Sequence, residues 1–309
     1  MTAPKSLRIG TRGSPLALAQ ADELKRRVAA AHASLAAPGA IEIVAIRTSG
    51  DRVGERPLAE EGGKGLFTKE IEDALIARRI DVAIHSMKDM LATLPNGLAI
   101  AACLPREDPR DALLSPRAGS FAALAKGARL GTSSLRRKAL ALHARPDLAI
   151  VPLRGNVGTR LAKLAAGDAD ATILAVAGLK RLGLADKITA TLAPSDMLPA
   201  PAQGILAIEI RDDNERARDL LTPLDHPETA ACASAERAFL AALDGSCRTP
   251  IAALATIAGE RLALDAAIVS PDGSKLHRTR RDGATADAAA LGRDAGAELK
   301  ARGGPDFFT

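Results

Sequence analysis

The pattern that begins at Leu7 occurs twice in outline. Leu7-Arg8-Ile9 reads as a short strand, Gly10-Thr11-Arg12-Gly13-Ser14-Pro15 as a turn, and Ala17, Ala21, Leu24 and Val28 recur at helical spacing. Ser14 as N-cap and Pro15 at the first helical position mark where that helix starts, because the serine oxygen satisfies a free N–H and proline needs none. The same order returns with Arg129-Leu130, the turn Gly131-Thr132-Ser133-Ser134, and a helix bearing Leu135, Ala139 and Leu142. A strand that feeds a helix through a glycine- and hydroxyl-rich turn, used repeatedly, commits the chain to βαβ units and mainly parallel sheets. Such sheets keep ligands at the carboxyl ends of their strands.

Other segments extend this pattern. Ile41 to Arg47 is a second strand, and Thr48 to Gly65 is rich in glycine and charge without hydrophobic period, which predicts a mobile loop. Phe67, Ile71, Ala74 and Leu75 mark one face of a helix leading to the apolar strand Asp81-Val82-Ala83-Ile84. At that strand's end stands His85-Ser86-Met87-Lys88-Asp89. Near-extended backbone would send Ser86 and Lys88 to one side and His85, Met87 and Asp89 to the other. The pentapeptide alone also fits a polar loop in which Asp89 caps a helix. Further strands are expected at Leu98 to Leu104, Ile150 to Leu153 and Ile173 to Ala175.

Two proline-bearing segments, Pro105 to Asp111 and Pro199 to Gly204, read as crossings between domains. Ile205 to Ile210 then rejoins the first domain as a buried strand. Two crossings between similar α/β domains imply a hinge with a cleft between them. From about Asp225 the character changes: a helix with Ala231, Ala235, Ala238 and Phe239, three strands with an Asp272-Gly273 hairpin turn, and a last helix with Ala288, Leu291, Ala295 and Leu299. The expected fold class is α/β, with domain 1 at residues 1–104 and 200–222, domain 2 at 105–199, and a smaller α+β domain 3 at 223–309.

Composition narrows the function. No run approaches the roughly 18 apolar residues of a membrane span, and Met1 to Gly10 lacks a signal-peptide core, so no membrane partner and a cytoplasmic location are expected. A net charge of +5 invites a nucleic-acid reading, but aromatics are 2% of the chain with neither Trp nor Tyr, so base-stacking platforms are nearly absent and no nucleic-acid partner is expected. Cys103, Cys232 and Cys247 have neither metal-like spacing nor an even count, which argues against zinc and against a disulfide framework. Cys103 and Cys232 fit small buried hydrophobes. Cys247, in Gly245-Ser246-Cys247-Arg248, is either a surface residue or a nucleophile or attachment point, with Arg248 favouring its thiolate.

Three strand-end loops place arginine beside small residues: Arg12 with Ser14, Arg136 and Arg137 behind Thr132 and Ser134, and Arg154 and Arg160 around Gly155 and Gly158. Guanidinium forks and free helix N–H groups together make an anion cradle. Neither a nucleotide P-loop nor a Gly-x-Gly-x-x-Gly is present, which points to carboxylates.

Thr11 to Gln20, Gly62-Gly63-Lys64-Gly65-Leu66-Phe67, His85 to Asp89, Gly131 to Arg137, Leu153 to Val157 and Gly245 to Arg248 together closely resemble the hydroxymethylbilane synthase (porphobilinogen deaminase) family, in order and spacing over essentially the whole chain. The resemblance implies three domains, the first two like periplasmic binding proteins, with a dipyrromethane cofactor held covalently by a thioether at Cys247. It implies deamination and head-to-tail joining of porphobilinogen, a small polycarboxylate substrate, and it suggests a monomer. Asp89 would be the catalytic carboxylate. Arg12, Ser14, Ser86, Lys88, Thr132, Ser134, Arg136, Arg137, Arg154 and Arg160 would hold carboxylates of cofactor and substrate, and Arg181 would serve chain growth. Lys64 and Phe67 would approach the substrate, with Gln203 and Asp51 as further candidates. Leu91, Ser246 and Ala207 depart from residues frequent in the family, each at a backbone position without catalytic chemistry. The competing reading is a noncatalytic two-lobed binding protein for a small polycarboxylate, which has no use for Cys247.

Overall fold

The computed structural model describes residues 6–52, 67–245 and 249–308, with 51 and 52 described by backbone alone. In chain order the elements are β1 (Leu7–Arg12), α1 (Pro15–Ala31), β2 (Ile41–Ile46), α2 (Ser49–Arg52), α3 (Lys69–Ile76), β3 (Val82–Ser86), β4 (Leu98–Cys103), β5 (Asp111–Leu114), β6 (Arg129–Gly131) and α4 (Leu135–Ala144). They continue with β7 (Ala149–Val151), α5 (Val157–Ala165), β8 (Ala171–Ala175), α6 (Val176–Arg181), β9 (Ala190–Thr191), β10 (Leu206–Arg211), α7 (Glu215–Leu221) and α8 (Pro227–Ala242). The last are β11 (Ile251–Ala258), β12 (Arg261–Val269), β13 (Leu276–Ala284) and α9 (Ala288–Gly303). Of the expected mobile loop, Ser49–Arg52 is a helical turn and residues 53–65 lie outside the described residues.

The chain divides into two compact units, Met1–Arg106 with Ile205–Ala230, and Glu107–Gly204 with Ala231–Thr309. In the first, the strand order is β2-β1-β3-β10-β4. Strands β1, β2 and β3 are parallel, whereas β10 runs antiparallel to β3 and β4. In the second, the order β7-β6-β8-β5-β9 repeats the same pattern of directions, three parallel strands followed by two antiparallel pairings. The sheets are therefore mixed rather than mainly parallel. In each, the odd strand, β10 or β5, is the one that a crossing segment supplies, so it enters without the helix that a parallel connection needs.

Local chemistry sets the first unit. Ser14 caps α1, its Oγ accepting from Ala17 N at 3.3 Å, and Pro15 occupies the first turn. Ala21, Leu24 and Val28 turn inward against Ile9, Ile84 and Ile208, and Ala17 is buried on the same helix. Each fully buried aliphatic side chain of this kind contributes about 1.5–3 kcal/mol.

In the second unit, β11, β12 and β13 form an antiparallel sheet. Its strands alternate: Ala252 and Leu254 join the core of Leu130, Leu140 and Ile173, while Ile251, Ala253 and Ala255 face α8 and α9. That sheet, buried on both faces along much of β11, lies in one compact unit with the second α/β sheet. Helices α8 and α9 approach closely because a Cβ at Gly292 would lie 2.1 Å from the Ala235 carbonyl oxygen.

Candidate functional site

In the first unit, the carboxyl ends of β1 and β3 open on a recess of about 60 Å³ whose wall includes Arg12, Ser14, Phe67, His85, Ser86 and Asp89. Arg12 ends β1, and its guanidinium stands over the Phe67 ring, 4.2 Å from the centroid. Such stacking fixes the guanidinium plane.

Strand β3 ends at Ser86, and Met87–Asp89 forms a single 3-10 turn anchored where Met87 N donates to Ile205 O at 3.0 Å. The turn breaks the expected alternation: Ser86, His85 and Asp89 all reach the recess. Lys88 is half-buried on the same turn and lies outside the recess wall. Met90 continues extended rather than into a helix, so Asp89 caps none.

Gln20 joins this group although the motifs did not single it out. It is buried on the inner face of α1 and its Nε2 donates to Ser86 Oγ at 2.8 Å. The available signal was a polar residue at an inward position of an otherwise apolar helical series.

The second unit gathers Thr132, Ser134, Arg136, Arg137 and Gln203 around Asp111. Thr132 Oγ1 accepts from Ser134 N at 3.2 Å, and Ser134 Oγ caps α4 by accepting from Arg137 N at 3.4 Å. Arg136 and Arg137, expected to grip a ligand, are only 5% and 6% exposed, while Leu135, expected to be inward, is 37% exposed. The reason is Asp111, at the start of β5: its Oδ2 accepts from Arg136 Nη2 at 2.7 Å and its Oδ1 from Arg137 Nη2 at 2.8 Å. Gln203 Nε2 adds a third contact at 3.0 Å, and Arg136 Nη1 also donates to Leu198 O at 2.7 Å. Burial alone would raise the Asp111 pKa, but the charges of Arg136 and Arg137 outweigh it and hold the carboxyl well below the usual carboxylate range. Two guanidinium charges against one carboxylate leave a net positive charge at the start of α4. Ser133 Oγ and Arg136 Nε there are buried without a hydrogen-bond partner.

Asn156 caps α5, accepting from Thr159 N at 2.9 Å, and Arg160 Nε donates to Gly155 O at 2.8 Å. Arg154 is half-buried just ahead of that turn. Arg181 Nη2 donates to Gly204 O at 3.0 Å, tying the end of α6 to the second crossing segment. Cys103 and Cys232 are buried. Lys64, Ser246, Cys247 and Arg248 lie outside the described residues, as does the side chain of Asp51. Among the described residues no cluster of metal-ligating side chains occurs, and no helix is long and apolar enough to cross a membrane.

Chemically, the recess offers a carboxylate beside hydroxyl and guanidinium donors. It can stabilise a developing cation and move a proton while an anionic substituent is held.

Comparison with known proteins gives a consistent set. Residues 7–219 match the family described as "Porphobilinogen deaminase, dipyromethane cofactor binding domain", and residues 230–301 match "Porphobilinogen deaminase, C-terminal domain". Among similar proteins, the porphobilinogen deaminase of Nitrobacter winogradskyi is 55% identical over 301 residues, 97% of this chain and 95% of that one. That of Paracoccus denitrificans is 54% identical over 302 residues, 98% of this chain and 96% of that one. A nutrient-binding protein from Burkholderia cenocepacia bound to methionine aligns at 14% identity over 70% of this chain and 90% of that one, with a TM-score of 0.44.

Proposed function

The chain belongs to the porphobilinogen deaminase family, and from that membership we propose that it is a transferase that deaminates four porphobilinogen molecules and joins them head to tail. The product, released by hydrolysis with ammonia as the other product, is the linear tetrapyrrole hydroxymethylbilane, an intermediate of tetrapyrrole and heme biosynthesis. The observation that carries this reading is Asp89 in a recess with Ser86 and Arg12, in a chain similar to these deaminases from end to end.

The family's dipyrromethane cofactor is a chain of carboxylated rings, and the residues present suit one. In the first unit Arg12, Ser14, Ser86 and Lys88 would be donors for its carboxylates, and in the second unit, taken by itself, Thr132, Ser134, Arg154 and Arg160 offer the same chemistry. The buried, unpartnered Ser133 Oγ and Arg136 Nε support the same fit, since a carboxylate oxygen would satisfy either. Arg136 and Arg137 contribute the excess positive charge that favours an anion there. Bound through Cys247, the cofactor would supply an electron-rich pyrrole carbon on a fixed tether.

Asp89 would act where charge develops. As the aminomethyl group of porphobilinogen leaves as ammonia, positive charge spreads to the pyrrole nitrogen, and a carboxylate about 4 Å away contributes about 4 kcal/mol at an effective dielectric of 20. That corresponds to roughly a thousandfold in rate. Asp89 would also accept the proton shed at the new ring junction. Ser86, held by Gln20 Nε2 through its oxygen, has its own O–H left to donate to a ligand carboxylate. Arg12, steadied by Phe67, would take another carboxylate, with Lys64, Arg181 and Gln203 serving later rings.

Intact mass under denaturing conditions tests the reading. Protein made in a host able to supply porphobilinogen should exceed its chain mass by two pyrrole units, and an unmodified chain would sink it.

A further inference from the structure

Behind the recess wall lie acid groups that the reaction so far leaves idle. Glu209, in the middle of β10, is wholly shielded from solvent, and its Oε2 lies 3.0 Å from His85 Nε2. Its other oxygen, Oε1, has no hydrogen-bond partner. Glu72, on α3, is 5% exposed and also has an unpartnered Oε1. Burial raises the Glu72 pKa and Glu209 adds to that, while Thr68 and His85 act against it.

Sheet register explains the meeting. His85 on β3 stands opposite Ala207, and Ala83 opposite Glu209, on β10. His85 and Glu209 are therefore diagonal neighbours on one face of the sheet, within reach of long side chains. Helix α3 covers that face, with Ile71, Ala74 and Leu75 packed on Ala83, and this brings Glu72 to the pair. Glu209 from β10 thus meets His85 directly and Glu72 from α3 acts on it through its charge, while Arg12 from the end of β1, Asp89 from the 3-10 turn and the uncharged Gln20 from α1 share its recess wall.

Two carboxylates and one imidazole in a water-poor interior cannot all be charged cheaply, and burial holds Glu72 toward its neutral form. Glu209 is shielded from solvent and Glu72 and His85 are each 5% exposed, but of the three His85 lines the recess. Each condensation creates a need for such a group. The C–N electron pair leaves with neutral ammonia from the substrate ammonium and a carbon–carbon bond forms. The ring C–H pair then returns to the ring, so one proton is left in the site per turn.

We propose that Glu209 and Glu72 are positioning residues that set the protonation of His85, making the recess wall an ionisable surface that takes that proton on from Asp89 and passes it out to water or departing ammonia. The proposal rests on the deaminase reading above and adds to it a group that the family motifs treat only as a neighbour of Asp89.

The test is the pH profile of kcat for the cofactor-bearing enzyme and its Glu209→Gln and Glu72→Gln variants, with the denatured mass of each. Glu209→Gln removes the carboxyl that meets His85 Nε2 at 3.0 Å, so the acidic limb should move to lower pH. Glu72→Gln, which replaces a group already held toward its neutral form, should fold and should move the same limb in the same direction by less. NMR titration of the His85 ring, assigned by its loss in His85→Gln, should move with it. Profiles and His85 titrations that superimpose on those of the parent enzyme would overturn the proposal, even where the overall rate falls. An intact adduct in those variants would leave the deaminase reading standing, whereas a parent enzyme without an adduct would remove both.

Discussion

Asp111 and Arg137 stand 2.8 Å apart in the second unit, carboxylate to guanidinium, with the carboxylate shielded from all solvent. Removing one partner of a buried ionic group leaves the others uncompensated, so Asp111→Asn should lose about 3–5 kcal/mol in urea unfolding at pH 7. A loss under about 1 kcal/mol would show that the arginines find other partners.

The same carboxyl predicts acid behaviour. Its folded pKa is depressed, with burial opposing and Arg136 and Arg137 prevailing. Its contribution to stability is therefore complete above the ordinary value of 3.8 and lost as pH falls toward the folded value. The parent protein should lose stability steeply below about pH 4, and Asp111→Asn should lack that part of the slope.

Glu72 predicts the opposite sign. Its folded pKa is raised, chiefly by burial, so its contribution is complete below the ordinary value of 4.5 and is lost as pH rises through the folded value. Glu72→Gln should remove that decline, leaving the variant relatively more stable than the parent at neutral pH than at pH 4. Parallel stability curves from pH 4 to 8 would refute it.

Asp89→Asn keeps volume and removes charge. The cofactor adduct should persist while kcat falls by at least roughly a hundredfold. Near-normal turnover would take Asp89 out of the chemistry.

Cys247→Ala should abolish the mass excess. An adduct that survived this change and vanished on replacing Cys103 or Cys232, both buried, would move the attachment point.

Gly273 sits at a φ of +79°, and a Cβ there would lie 2.7 Å from the Ala139 carbonyl oxygen and 2.7 Å from His143 N. Its own carbonyl accepts from His143 Nδ1 at 2.8 Å, so that ring nitrogen carries the proton. Gly273→Ala should cost about 2 kcal/mol or more in urea unfolding, combining left-handed backbone strain with the clash.

Much of the local structure was legible. Ser14, read as an N-cap, caps α1 because a short side-chain oxygen is the cheapest partner for a free N–H at a helix start, and Ser134 and Asn156, not assigned as caps from the sequence, do the same for α4 and α5. The strand ahead of His85 and the inward series on α1 followed from apolar period alone. Strand β5 was hidden inside a charged crossing, since Asp111 reads as a surface residue until its two arginines arrive from residues 25 and 26 positions along the chain. Polar patterning failed on α4 for the same reason.

The sequence by itself determined the capped turns, the repeated strand-to-helix units and the family, because those rest on neighbours a few residues apart or on motifs read in order. Tertiary structure decided which polar groups are used for what. Pairing of β3 with β10 brings Glu209 to His85 across 124 residues, and the 3-10 turn after Ser86 swings Asp89 into the recess beside it. An ionisable side chain takes its role from the charges and the solvent around it, and those are set by strands that only folding brings together.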